Sequence, residues 1–297
     1  MIENITYGLL RGFFTLLAFL PLRVLYVLAD LIYFLLYRVV RYRRNVVADN
    51  LAACFPERSA CERAEIERKF YRNMADCMVE TIKLLHISDA EIKKRMVFEN
   101  EKLIDELTAA GKSIVVYFSH CGNWEWAPSV TFHTSHEGVE YCQVYRPLVN
   151  KSIDRLMLKI RSRFGSLSFP KSTVLRDLMR LRRDGMHSVT GFMSDQKPSH
   201  GDPTVKTMFL NRPTAFISGT ETLARRLGMA CIYWDMEKLS RGYYRIVCRR
   251  MSDFAEDSPF GQLTLEYARM LETTIRRNPS IWLWTHKRWK YPVTLDN

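Results

Sequence analysis

The sequence predicts an α/β fold: a mixed, mostly parallel sheet flanked by helices, with an N-terminal helical segment that anchors the chain to a membrane. Three observations carry this reading. Short β-branched and aromatic runs alternate with amphipathic helical stretches beyond residue 45, residues 5–40 are almost entirely apolar, and a cluster of arginines separates the two regions. The 297 residues carry 44 Lys and Arg against 32 Asp and Glu, a formal charge of +12, with a sequence pI near 9.4 and a mean hydropathy of −0.18. With 47% hydrophobic and 12% aromatic residues, the chain can bury a sizeable core, which excludes a disordered, collagen-like or low-complexity protein. Its mean hydropathy excludes a polytopic membrane protein. The expected division is an anchor with a basic flank, residues 1–44, and one globular domain, residues 45–297.

Within the apolar segment the longest uncharged stretch runs only from Gly12 to Leu22, so it contains no uncharged span of 18 residues. Arg23 and Asp30 are seven residues apart, two helical turns, and share one stripe where they can pair or face protein. Residues 22–40 therefore read as a lipid-contacting helix with one polar seam. Pro21 opens this helix and separates it from a shorter apolar one. Glu3 precedes the single early Arg11 and no small-residue cleavage site follows, so an uncleaved anchor is expected rather than a secretory signal. The run RVVRYRR, with Arg38, Arg41, Arg43 and Arg44, favours the anionic, cytoplasmic face of a membrane. A buried pair of core helices is the alternative.

Ser59 and Glu62 form a capping-box pattern ahead of the stripe Ile66, Phe70, Met74, Met78 and Ile82, which predicts an amphipathic helix. Ser88 and Glu91 repeat the pattern, and Gly111 ends a helix near 101–110 just before a buried strand at 113–118. Further strands are expected at 139–145, 188–193, 230–236 and 243–250, with helices near 150–163, 172–183, 216–228 and 260–277. Strands joined by helical crossovers run parallel, hence the fold class.

The chemistry concentrates where the first central strand ends, in SHCGNWEW, residues 119–126. Catalytic groups in open α/β sheets collect at the carboxyl ends of strands, and His120 stands there. Glu125 follows five residues later, about 140° around a regular helix, so the two meet only if the chain turns. Cys121, Gly122 and Asn123 supply the turn. An imidazole held by a carboxylate is a general base of fixed tautomer. A strand-end histidine capped by a nearby acid is the bland reading of the same spacing.

Other blocks give the pair a context. SHCGNWEW matches an H-x-G-N-W-E block at His120, Gly122, Asn123, Trp124 and Glu125, VYRPLVN at 144–150 carries Y-R-P with a following Asn, GFMSDQKPSHG spans 191–201, and WTHKRWK spans 284–290. In these four ordered blocks and the preceding anchor the chain resembles the late, secondary acyltransferases of lipid A biosynthesis, within the lysophospholipid acyltransferase superfamily. Cys121 departs from the larger apolar residue usual in that family.

The resemblance implies a lysophospholipid acyltransferase-like fold, with residues 45–297 as the catalytic domain. It also implies transfer of a fatty acyl chain from acyl carrier protein to a hydroxyl of a lipid A precursor, at the cytoplasmic side of the inner membrane. His120 is then the base and Glu125 its partner. Arg146 or backbone amides near His120 are candidates for holding the oxyanion, and Asn123, Asn150, Arg163, Asp195 and Gln196 for positioning substrate. Lys197 and Arg212 are candidates for the lipid phosphates, with solvated surface as the alternative. An aminolipid or lysophospholipid acceptor, and a non-catalytic anchored protein that binds lipid or carrier protein, are the competing readings.

A charge of +12 suits acidic carrier protein, phosphorylated lipid and an anionic leaflet. Nucleic acid is not an expected partner: no recognition signature appears, and the basic run RLRR at 180–183 falls on an amphipathic helix. Neither a disulfide framework nor a metal site is expected from seven cysteines without paired spacing, and no cofactor is implied. His133 and His136 read as surface histidines. Trp282, Trp284 and Trp289 suit either a membrane interface or the core.

Overall fold

The computed structural model describes residues 2–135 and 137–295. In chain order it comprises α1 (Ile2–Phe19), α2 (Leu22–Phe34), α3 (Arg44–Cys54), α4 (Ala60–Lys83), α5 (Asp89–Arg95), β1 (Met96–Glu99), α6 (Lys102–Ala109), β2 (Ile114–Phe118), β3 (Val139–Tyr145), α7 (Lys151–Arg161), β4 (Leu167–Pro170), α8 (Val174–Arg183) and β5 (His187–Met193). There follow β6 (Thr204–Phe209), β7 (Arg212–Ile217), α9 (Gly219–Arg226), β8 (Ala230–Ser240), β9 (Tyr243–Ser252) and α10 (Gln262–Arg277). One seven-stranded sheet has the order β1-β9-β8-β2-β5-β3-β4, and all its neighbours are parallel except β8 and β9. The mixed, mostly parallel sheet flanked by helices is thus the observed architecture. Every residue of β2 is buried, as a central strand covered on both faces requires.

The local signals act as the sequence implied. The Ser59 hydroxyl accepts from the Glu62 amide (3.2 Å) while the Glu62 carboxylate takes the Ser59 amide (2.7 Å), closing the capping box of α4. The Ser88 hydroxyl accepts from the Glu91 amide (3.2 Å) at the start of α5, without the return bond, since the Glu91 carboxylate turns to Arg95. β1 and β4, four residues each, lie at the two edges of the sheet and were not foreseen, nor was the separate antiparallel hairpin β6–β7. That hairpin turns at Leu210 and Asn211, both with positive φ (50° and 62°), the backbone hand that matches strand twist in a two-residue turn.

Among the described residues no single helix is long and apolar enough to cross a membrane. Residues Glu3–Phe19 and Leu22–Val39 reach that length only together, and they are bent by 118° at Pro21. Both helices lean on the body. Ser152 Oγ of α7 donates to the Glu3 carbonyl (3.1 Å), Arg155 stacks over Tyr7, and Asp30 pairs with Arg241 (2.7 Å) rather than with Arg23. Their outer faces expose Leu9, Phe13, Leu16, Val27, Leu31 and Phe34, an apolar surface larger than isolated side chains would make.

Candidate active site

The register of the central strands builds the site. Phe118, the last residue of β2, is level with Met193, the last of β5. Two residues beyond each lie His120 and Asp195. The Asp195 carboxylate is 2% exposed; its Oδ1 lies 2.7 Å from His120 Nδ1, and its Oδ2 accepts from the His120 amide (3.0 Å) and Trp282 Nε1 (2.9 Å). Burial alone would raise the Asp195 pKa, but the His120 charge and these hydrogen bonds outweigh it and bring it to about 2. An ionised Asp195 accepts only, so Nδ1 carries a proton, and the neutral ring of that tautomer has its lone pair on Nε2. Gln196 Nε2 lies 3.3 Å from that nitrogen. The arrangement is an imidazole oriented by Asp195, with Nε2 facing the Gln196 amide.

Glu125 does not occupy the place expected of it. Its carboxylate takes a bidentate fork from Arg161 of α7, Nε to Oε2 at 2.9 Å and Nη2 to Oε1 at 2.6 Å, and Trp124 Nε1 donates to Oε1 (3.2 Å). The partner of the imidazole is Asp195 instead, because a strand register is a firmer ruler than a short turn. Glu125 stays close through Trp124, whose ring meets His120 edge-on at 5.1 Å. Arg161 was missed, and Arg163 chosen in its place. The reason is visible: α7 turns Arg161 toward Glu125, whereas Arg163, past the helix end, donates to Asp89 Oδ1 (2.7 Å) and the Ile87 carbonyl (3.1 Å).

The other expected residues separate as follows. Asn123 is buried and its Nδ2 donates to Glu80 Oε2 (2.8 Å) rather than into the site. Asn150 caps α7, its side chain accepting from the amides of Ser152 (3.0 Å) and Ile153 (3.1 Å). Arg146 is exposed just past β3. The amides of His120 and Gly122 are engaged, the latter with the Ile281 carbonyl (2.9 Å), so neither is free for an oxyanion. Lys197 stacks over Tyr291 and Arg212 over Trp289.

The C-terminal block closes the site from behind. Cys121 and Trp282 form an antiparallel bridge, Trp282 and Trp284 are buried, and Trp289 packs against Phe209, so these tryptophans belong to the core. His286 Nε2 accepts from the Lys197 amide (3.0 Å); burial lowers its pKa to about 4, which keeps it neutral. Arg288 is buried, donates to the Ala215 carbonyl (2.6 Å), and has its pKa lowered to about 10 by burial against the pull of Asp195. His133 is half-buried against Phe98 at 5.1 Å, not a surface residue, and His136 lies outside the described residues. All seven cysteines are free; burial raises the Cys121 thiol, an inert packing group. Among the described residues no three His, Cys, Asp or Glu side chains are grouped to hold a metal. A groove of about 750 Å³ lies apart from His120, lined by Arg72, Asp76, Lys238 and Arg241 among others.

With this geometry in place, likeness to known proteins gains a physical footing. The family model for bacterial lipid A biosynthesis acyltransferases matches residues 3–291. A lipid A biosynthesis acyltransferase of Haemophilus influenzae is 25% identical over 182 residues, covering 60% of this chain and 56% of that protein. The chain thus spans little more than half the length of the curated relative it matches. The match to the family model runs through α1 and α2, the His120 loop and the C-terminal tryptophans alike. This chain belongs to the bacterial lipid A biosynthesis acyltransferase family.

Proposed function

We propose that the protein is an O-acyltransferase that moves a fatty acyl chain from acyl carrier protein to a hydroxyl of a lipid A precursor. It works at the cytoplasmic face of the inner membrane, held there by residues 1–44. The observation that carries the chemistry is the Asp195–His120 pair: a buried carboxylate on Nδ1 (2.7 Å) leaves Nε2 as a base at the end of the central strand. Family membership supports the substrate class.

In the proposed step His120 Nε2 takes the proton of the acceptor hydroxyl as its oxygen attacks the thioester carbonyl. The tetrahedral intermediate then collapses, the C–S bond breaks, and the carrier thiolate leaves with the proton held by the imidazolium. No covalent acyl-enzyme and no cofactor enter. Asp195 fixes the tautomer and stabilises the imidazolium. The Gln196 amide, beside Nε2, and Arg161, whose fork on Glu125 leaves Nη1 uncommitted to that carboxylate, are candidate donors to the oxyanion. Glu125 serves the reaction by holding Arg161. The basic surface attracts acidic carrier protein and anionic lipid, while the apolar outer faces of α1 and α2 sit in the lipid.

The test is mass spectrometry of lipid A and total lipids from a host lacking the gene, then carrying the wild type or His120→Ala. Loss of one acyl chain from lipid A, restored by wild type alone, is expected. A change confined to phospholipids or aminolipids would move the acceptor. Unchanged lipids, or full rescue by the variant, would favour a binding protein.

A further inference from the structure

Glu80 lies on α4 with no exposed surface, and its carboxylate gathers hydrogen bonds from three parts of the chain. Tyr26 Oη of α2 donates to Oε1 (2.9 Å), Tyr244 Oη of β9 to Oε2 (2.9 Å), and Asn123 Nδ2 of the His120 loop to the same Oε2 (2.8 Å). The main-chain carbonyl of Glu80 accepts from Trp126 Nε1 (3.1 Å), and one turn earlier Cys77 Sγ donates to the Gly122 carbonyl (3.1 Å). One residue thus grips Asn123 with its side chain and Trp126 with its backbone, and Trp124 and Glu125 lie between the two grips.

Both ends of this link are tight. On the loop side Gly122 has φ +57°, and a Cβ there would lie 2.9 Å from Met236 Cγ, so the loop has no room to slide toward β8. On the helix side Gly242 has φ +73°, and a Cβ there would lie 1.9 Å from Tyr26 Oη, so the turn between β8 and β9 leaves space for that hydroxyl and nothing larger. α2 meanwhile exposes Val27 and Leu31 on its outer face. Burial raises the Glu80 pKa, against the pull of Lys238 and of its donors. A buried carboxylate is a costly way to fill a core position that an apolar residue of similar volume would occupy more stably. The three donors, drawn from an outer helix, a strand and the reactive loop, explain what the carboxylate provides that a leucine would not.

We propose that Glu80 is a positioning residue that ties the seating of α2 to the geometry of the 120–126 loop, so that a shift of the outer helix is felt at His120 and Glu125. The kinetic half of this inference rests on the acyl-transfer reading. The mechanical half rests on geometry alone.

The test uses the purified full-length protein as wild type, Tyr26→Phe and a control, Tyr71→Phe. Tyr71 sits on α4, the helix of Glu80, and its hydroxyl donates to the Tyr42 carbonyl, away from the loop. Backbone hydrogen exchange is followed at residues 121–126 without substrate, and kcat and KM are measured in parallel. Tyr26→Phe is expected to speed exchange in the loop several-fold and to lower kcat about 10-fold with KM little changed, the effect of one net hydrogen bond. Tyr71→Phe should leave both unchanged. Glu80→Gln should keep most of kcat, since its amide can donate to Tyr26 while its carbonyl accepts from Asn123 and Tyr244. Glu80→Leu should lose more than Tyr26→Phe. Unchanged loop exchange and kcat in Tyr26→Phe, or equal effects in the control, would overturn the proposal. Faster loop exchange in Tyr26→Phe from a wild type that transfers no acyl chain would uphold the link and sink the acyl-transfer reading instead.

Discussion

Two aspartates on the same sheet, Asp195 beyond β5 and Asp235 on β8, are almost equally buried, 2% and 3% exposed, yet they keep different company. Asp235 accepts from Arg277 (Nη2 2.6 Å, Nη1 3.0 Å), Arg249 (Nη2 2.9 Å) and Thr274 Oγ1 (2.7 Å). Burial would raise its pKa, but Arg277 chiefly, with Thr274 and Arg249, brings it down. Asp195 has instead an imidazole, an indole and a main-chain amide. Guanidinium groups do not titrate in the range of life, so the Asp235 cluster can only hold strands and helix together. An imidazole can give and take a proton, so in the proposed mechanism the same burial around Asp195 serves a base. Depth alone does not mark function; the titration range of the partner does.

That contrast can be broken by substitution, and the largest effect is expected at the imidazole. His120→Ala should lower kcat by about 10⁴ or more in a protein that still unfolds in one cooperative transition, measured by acyl transfer and calorimetry on one preparation. Asp195→Asn presents an amide to Nδ1 and removes the charge that stabilises the imidazolium. A loss in kcat of roughly 10²–10⁴ is expected, larger than that of Glu125→Gln, which acts through Arg161. The reverse ranking would return the partner role to Glu125. Asp235→Asn should do the opposite, keeping kcat within about 2-fold at low temperature while costing about 1–3 kcal/mol of stability, since its arginines are partly solvated and their loss of a partner is softened.

The remaining expectation concerns pH dependence. His286 has its pKa lowered from 6.5 to about 4, so between those values the unfolded chain binds a proton that the folded one refuses. Stability should therefore fall as pH drops from about 6.5 to about 4, and His286→Asn should flatten that part of the curve. Asp195 acts lower still: its pKa is depressed to about 2, so its contribution is complete above about pH 4 and is lost as pH falls toward 2. Urea titrations at a series of pH values separate the two windows, and overlapping losses would show that the two groups are not independent.

The fold was legible where periodicity is long and punctuated. The capping box at Ser59, the N-cap at Ser88 and the strands ending at Phe118 and Tyr145 stand where the pattern put them. β1 and β4 were not legible, because four residues at a sheet edge carry too short a pattern. Pro213 hid β7, although Asn211 at the turn was a usable hairpin signal. In the candidate site His120 stood out by its place at a strand end, and Asp195 was flagged only as a substrate group. Its bond to His120 spans 75 residues, and only the register of β2 against β5 brings the two together. Arg161 illustrates the remaining difficulty: one residue separates it from Arg163, and helix phase alone decides which one reaches Glu125.

The amide of residue 120 donates to Asp195 independently of the side chain attached to it. Replacing His120 by a smaller residue therefore removes the ring and leaves its cradle in place: the carboxylate still tethered by the main chain and Trp282, and the edge of Trp124 on the other side. Such a vacancy has the outline of a five-membered heterocycle. Free imidazole added to His120→Gly should enter it and restore part of the lost turnover in a saturable way, with methylated imidazoles ranking by how well they fit against Asp195 and Trp124.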